Sequence, residues 1–224
     1  NLHLKDISIT PLGYGAEPIN LGDLDGNNFL ITIRDLNESE AEIKKIKTFP
    51  NLFGPQRFSR NNHFVGKMII SQDFAGAVKL LTESDGRIES NIKDYLIQRK
   101  NDYVGALRTV PKKIVKMYVH AYQSYLWNEC VRELLSDKKK PSTRFPIIGF
   151  GTEIKNDRIG KIIKWILKKE NINPRNFIVR QIPELSSEGD SRNVLFSVMN
   201  FKIVNRFEEN GKYIVQLKFS LPKG

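Results

Sequence analysis

Cysteine is nearly absent from this 224-residue chain: Cys130 is the only one. An intrachain disulfide and a cysteine-based zinc site are both excluded, and a reducing compartment, the cytoplasm, fits best. Histidine is almost as scarce. His3, His63 and His120 stand far apart, without the paired spacing of a metal site. There is no glycine-rich phosphate loop and no dinucleotide fingerprint. No apolar run approaches the roughly 20 residues of a membrane-spanning helix, and the opening residues do not read as a signal peptide. Disulfide scaffolds, zinc modules, nucleotide hydrolases and membrane spans are set aside on these grounds.

What the chain does have is positive charge. Lys and Arg total 36 against 25 Asp and Glu, a net charge of +11. A field of that sign favours nucleic acid or another anionic surface as partner. The length suits one large domain or two small ones with a sizeable core. The chain opens without Met and closes on KFSLPKG, a strand-like run stopping at a turn. The expectation is a chain truncated at both ends.

Hydrophobic periodicity organises the rest. NNFLITIRDL (27–36) alternates Phe29, Ile31 and Ile33 against Leu30, Thr32 and Arg34, the pattern of a half-buried strand. Asp25-Gly26 before it has turn chemistry suited to positive φ. Ser39 and Glu42 form a possible capping box for a short helix through Lys47. HFVGKMII (63–70) reads as helix or strand, and DFAGAVKLLTES (73–84) as a helix with Asp73 as its N-cap. The clearest element is the long helix after Pro111, with Val115, Tyr118, Val119, Tyr122, Leu126, Cys130 and Leu134 in one apolar stripe. Cys130 on that stripe reads as inert packing. DKKKPSTR (137–144) reads as a solvated basic linker. GKIIKWILKKE (160–170) is a second amphipathic helix: Ile162, Ile163, Ile166 and Leu167 share one arc, and Lys161, Lys164 and Lys168 the other, beside Trp165. PRNFIVRQIPEL (174–185) reads as a short strand and turn. Two strand-type runs, 192–204 and 211–221, flank EENG and predict a hairpin. Strands at both ends with helices between predict an α+β fold whose terminal strands can share one sheet.

FPNLFGPQRFSRNNH (49–63) fits neither period. It holds three Phe, two Pro, one Gly, two Arg and three Asn. Pro50, Gly54 and Pro55 rule out a helix through it and stiffen it. Such a loop can offer Phe53 to a base, for about 1–3 kcal/mol of stacking. Arg57 can fork onto a phosphate, and Asn51 can meet a base edge or fix a turn. The competing reading has Phe49, Phe53 and Phe58 filling a core, with Arg57 covering it or pairing with a carboxylate.

NLFGPQRFSRNNHFVGK (51–67) resembles the Asn-aromatic-Phe-Gly-x-Gln-Arg-Phe signature of the TruD family of tRNA pseudouridine synthases. VHAYQSYLWNE (119–129) resembles a second stretch of that family in its archaeal and eukaryotic form. GDLDGNNFLITIR (22–34) and FSLPKG (219–224) resemble a third and a fourth, in the family's order. Ser59 departs from the pattern, which has glycine there.

The resemblance implies an isomerase that converts uridine to pseudouridine in tRNA, or in other RNA for eukaryotic relatives, without a cofactor. It implies a mixed, largely antiparallel sheet core with an inserted α/β (TRUD) domain. Residues 1–76 and 200–224 would belong to the core and 77–199 to the insertion. Asn51 and Phe53 would line the uridine pocket, and Gln56 and Arg57 lie in the same motif. The family's catalytic aspartate, in a Gly-x-Lys-Asp setting, would lie upstream of Asn1, and a second family aromatic just beyond LPKG. Asp23 and Asp25 read better as turn residues than as its replacement. No obligate protein partner and no membrane contact is implied. An RNA-binding module without activity is the alternative, and a basic structural protein without salt-dependent tRNA affinity a third. Lys161, Lys164 and Lys168 are the RNA-contact candidates. Lys138, Lys139 and Lys140 read as solvated. His120 reads as making a local hydrogen bond, and Gln123 and Trp127 as packing between core and insertion.

Overall fold

The computed structural model describes all residues except 1, 5, 6, 12, 19, 21, 22, 85, 137–143 and 224. In chain order the strands and helices begin β1 (Leu2–Leu4), β2 (Ile7–Ile9), β3 (Gly26–Leu36), β4 (Thr48–Pro50), α1 (Pro55–Phe58), α2 (Asn62–Ile70), α3 (Phe74–Leu81), α4 (Arg87–Gln98) and α5 (Tyr103–Arg108). They continue α6 (Lys112–Ser136), β5 (Arg144–Ile147), α7 (Arg158–Glu170), β6 (Asp190–Asn193), β7 (Leu195–Ser197), β8 (Met199–Glu209) and β9 (Lys212–Pro222). This is the α+β class expected. The chain forms two compact units: Asn1–Thr48 with Ser197–Gly224, and Phe49–Phe196. The second is inserted in sequence between the two segments of the first, and 49–76 belongs to it.

The first unit is built on a three-stranded antiparallel sheet, order β3-β9-β8, so the terminal strands do share one sheet. Alternation sets its register: Phe29, Ile31 and Ile33 stand opposite Phe219, Leu217 and Val215. The Phe29 and Phe219 rings stack with centroids 5.3 Å apart. The β8–β9 hairpin turns on Asn210 (φ 53°) and Gly211 (φ 73°), the two left-handed residues that a tight primed turn requires. Two local expectations fail here. Gly26 lies within β3, and neither it nor Asp25 takes positive φ. The helix from Ser39 to Lys47 does not form. The chain makes a single turn at Glu38–Ala41, where Glu40 accepts the Asn37 N–H at 2.8 Å. Only Ala41 of this stretch is fully buried, too little packing to extend one costly turn.

The second unit is helical around α6. Trp127, Leu126, Cys130, Val131 and Leu134 of α6 are fully buried, joined by Ile69 and Ile70 of α2 and Ile163 and Ile166 of α7. HFVGKMII resolves as helix. Gly66 lets α2 approach α6: a Cβ there would stand 2.0 Å from the Tyr118 carbonyl oxygen. Helix starts repeat one device. Asp73, Asp102 and Asp157 each cap a helix by accepting the N–H of a glycine three residues on, at 2.8–2.9 Å. The Asp73 cap was expected, whereas α4 and α5 were not read from the sequence. Residues 174–185 are not a strand. Two short 3-10 helices, Pro174–Phe177 and Pro183–Leu185, replace it, each opened by its proline. Of the basic linker only Arg144 is described, and it opens β5; Lys138, Lys139 and Lys140 lie outside the described residues. Among the described residues no helix is long and apolar enough to cross a membrane.

Candidate functional site

The segment that fitted neither period is held from three sides within the second unit. At its start, the Asn51 backbone N–H donates to Val194 O at 2.8 Å. At its end, Pro55 opens the single turn α1, so the prolines bound this segment but do not bar helix from it altogether. Ser59 closes that turn at φ 45°, ψ −130°, a backbone suited to the glycine of the resembling motif. Between them Phe53 is gripped by α6. Its N–H donates to Asn128 Oδ1 and its carbonyl accepts from Asn128 Nδ2, both at 2.9 Å. The Asn128 amide thus acts as one rung of a strand ladder.

The Phe53 ring is half-buried. It meets Trp127 edge-on with centroids 5.7 Å apart, and the Arg192 and Arg57 guanidinium carbons lie 4.2 and 5.3 Å from its centroid. Its open side faces a hollow of about 260 Å³ lined also by Arg57, His120, Ser187, Gly189 and Asp190. That is below the roughly 300–1,000 Å³ of drug-sized pockets and suits a single base. The wall opposite the motif is β5 and β6, paired so that Ile147 stands beside Asp190. Gln123 braces it: Nε2 donates to Ile148 O at 2.8 Å, and Oε1 accepts from Ser187 Oγ at 2.9 Å. Burial pushes the His120 imidazole below its ordinary range, helped by Lys116 and Arg57, so the ring is neutral at pH 7.

The expected site residues separate. Phe53 and Arg57 meet in the hollow. Gln56 is exposed and lines a neighbouring concavity with Gly54, Arg57 and Met117. Asn51 is 3% exposed, and its amide is committed: Nδ2 donates to Asn193 O at 2.9 Å and Oδ1 accepts from Arg192 Nη2 at 2.5 Å. It stands behind the ring. His120 and Gln123 line the hollow, and Trp127 underlies Phe53. Lys161, Lys164 and Lys168 are all exposed on α7, as its period requires, and carry no ion pair among the described residues. Asn128, Ser187, Asp190 and Arg192 were missed by sequence reasoning. Asn128 sits inside a regular helix, and the other three are polar residues far along the chain, with no period to point at them.

Behind the motif lies a second polar cluster. Glu170 accepts from Lys67 Nζ at 2.7 Å and from the Tyr122 and Tyr125 hydroxyls at 3.1 Å each. Burial alone would raise its carboxyl, but these donors outweigh it and hold it below the usual range. His63 stacks on Tyr125 at 5.2 Å, and burial lowers it. Among the described residues no three His, Cys, Asp or Glu stand together as a metal site.

The family described as tRNA pseudouridine synthase D (TruD) matches residues 1–91, 81–143 and 135–224, together the whole chain. A protein of Methanopyrus kandleri named Probable tRNA pseudouridine synthase D is 30% identical over 276 residues, covering 100% of this chain and 68% of its own length. One of the same name from Methanosarcina acetivorans is 30% identical over 312 residues, with 100% and 71% covered. A crystal structure from Methanosarcina mazei, named for tRNA pseudouridine synthase D, superposes with a TM-score of 0.82 at 26% identity, covering 100% of this chain and 71% of that one.

Proposed function

The chain belongs to the TruD family of tRNA pseudouridine synthases, and from that premise we propose that the Phe53 hollow takes the target uracil. The function is an isomerisation of uridine to pseudouridine in tRNA. The N1–C1′ bond breaks, the uracil turns, and C1′ bonds to C5. N1 ends with a proton and C5 loses one, so nothing is oxidised and no group is transferred. The chemistry asks for three things: a carboxylate near sugar and base, a flat surface for the detached ring, and cations for the polynucleotide.

Phe53 supplies the surface. Its half-buried ring on the wall of a base-sized hollow is the observation that carries this reading. Extruding a uridine costs a few kcal/mol, and stacking of about 1–3 kcal/mol offsets much of it. Arg57 at the mouth grips phosphate or a uracil carbonyl, and Gln56 in the next concavity meets the flanking strand. Asn51 serves the pocket from behind. The reaction's aspartate remains assigned upstream of Asn1. Asp190, the hollow's own carboxylate, spends Oδ1 on the neighbouring Ser191 N–H at 2.6 Å. For the family's domain division we propose 77–199 inserted between core segments 1–76 and 200–224, a boundary that differs from that of the compact unit Phe49–Phe196, which already contains the motif. The buried, unpaired Cys130 agrees with a cytoplasmic location.

The test is tritium release from tRNA carrying [5-³H]uridine, with the full-length protein that contains this chain. Phe53→Ala is expected to fold, to bind tRNA and to lose about 10- to 100-fold in kcat/KM. Binding without any release in the unsubstituted protein would favour the RNA-binding module instead. The α7 lysines touch phosphates in this proposal. Replacing Lys161, Lys164 and Lys168 by Ala should weaken tRNA binding and flatten its salt dependence by about one unit of slope for each phosphate no longer neutralised. An unchanged slope removes them from the interface.

A further inference from the structure

Arg192 is costly where it stands. Its guanidinium is surrounded by three rings: Phe53, Trp127 and Phe196, with centroids 4.2, 5.6 and 6.0 Å from its Cζ. Among the described residues its buried Nε has no hydrogen-bond partner, and its side-chain acceptor is the neutral Asn51. No carboxylate pairs with it among the described residues, and Arg57, another cation, is near enough to disfavour its charge further. A half-buried cation with no counter-ion, whose Nε is shut off from water, is a poor source of stability. What its placement does provide is a backing for Phe53. Two residues of the motif converge on it: Asn51 holds Arg192 by Nη2, and Arg192 lies over the ring that follows two residues later. Asn128 fixes the Phe53 backbone but leaves its side-chain torsions free. Something else must set the ring plane, and of the two cations and the indole that meet the ring, the Arg192 guanidinium lies nearest its centroid.

We propose that Arg192 is a positioning residue for the isomerisation: held by Asn51 and boxed by Trp127 and Phe196, it backs the Phe53 ring and fixes the plane on which the detached uracil rests. The structural duty of Asn51 is then to anchor Arg192. This rests on the reading of Phe53 as the uracil platform. A platform free to tilt still admits the base but holds it less often in the orientation that presents C5 to C1′. The loss therefore falls on kcat, not on tRNA affinity, which the cationic surface sets.

The test uses the full-length enzyme, with kcat and KM from tritium release and stability from denaturant unfolding. Arg192→Met should lose at least tenfold in kcat, with KM for tRNA within about twofold and an unfolding midpoint equal to or above that of the unsubstituted protein. Arg192→Lys should lose as much, because an ammonium neither stacks flat on the ring nor reaches Asn51 as a planar fork does. In Arg192→Ala, added millimolar guanidinium should restore part of kcat, and it should restore none in Phe53→Ala. Arg192→Met with kcat within twofold overturns the proposal. So does a lowered midpoint that accounts for the lost activity, or a folded Arg192→Ala that guanidinium does not rescue. Phe53→Ala separates the two readings. If it keeps kcat, the platform itself is wrong. If it loses kcat while Arg192→Met does not, only the positioning role falls.

Discussion

The two units of this chain are held together by different means. In the inserted unit a continuous core runs from Val65 on α2 to Val194 beyond β6, centred on a helix buried on nearly every side. Among the described residues of the sheet unit, Ala41, Val215 and Leu217 form the one buried cluster, and Leu30, Met199, Val204 and Phe207 stay exposed. There the backbone ladders of β3, β9 and β8 supply the order. The side chains of the candidate site rest on the packed unit. Asn128, Trp127 and Gln123 project from one rigid helix, and Phe53 is fastened to it. A base platform must be placed to within a fraction of an ångström, and a close-packed interior gives that where a two-faced ladder does not.

The contrast can be broken by mutation. Trp127→Ala should cost about 3–5 kcal/mol in the inserted unit, whereas Leu217→Ala in the sheet unit should fall near the low end of the usual 2–5 kcal/mol. Equal losses in denaturant titrations would erase the distinction. Asn128→Ala should come next, at about 2–4 kcal/mol, because it strands a backbone N–H and a carbonyl of Phe53. Turnover should drop beyond what the lost stability explains. A variant that is destabilised yet fully active would mean the clamp serves folding alone.

Acid gives the smallest effect and sharpens the contrast without mutation. Burial depresses His63 and His120 in the folded protein. The unfolded chain takes up those protons first, near pH 6.5. The stability they contribute is complete above that value and is lost as pH falls through their lower folded values. Glu170, also depressed, follows: its contribution is complete above about pH 4.3 and is lost below, as Lys67, Tyr122 and Tyr125 lose their acceptor. The two tryptophans, Trp127 and Trp165, both lie in the inserted unit and report on it alone. Their fluorescence-monitored unfolding midpoint should decline from pH 7.5 to 5 and again below 4.5. A flat profile would show that these groups do not couple to the packed unit.

Much of this was legible in the residues. The α6 stripe and the α7 arcs carry strong local periods and appear where the period put them; β3 and the EENG hairpin also form, but Ile31 on the expected inner face of β3 is exposed, and the run 192–204 is divided among β6, β7 and β8. Weak or mixed signals misled. Phe177, Ile178 and Val179 have strand character, but Pro174 and an Asn173 capping box draw Phe177 into a 3-10 turn, and the two residues left form no strand. Ser39 and Glu42 have cap spacing, but no apolar face follows to reward a helix. The site was half legible. Phe53 and Arg57 stand out in a stiff, aromatic, cationic segment. Arg192 lies 141 positions from Asn51, and only the tertiary structure brings them together. Asn51 looked like a contact residue because its local sequence says nothing of the partner that consumes its amide.

The nesting of one unit inside the other has a consequence in time. β3 emerges from the ribosome before the inserted unit, and its partner β9 only after it. The inserted unit lies wholly between them and can collapse around α6 while β3 still waits, an apolar edge with unsatisfied amides. Translation order therefore lets the tightly packed unit mature before the sheet is zipped shut, so β3 needs shielding while it waits for β9.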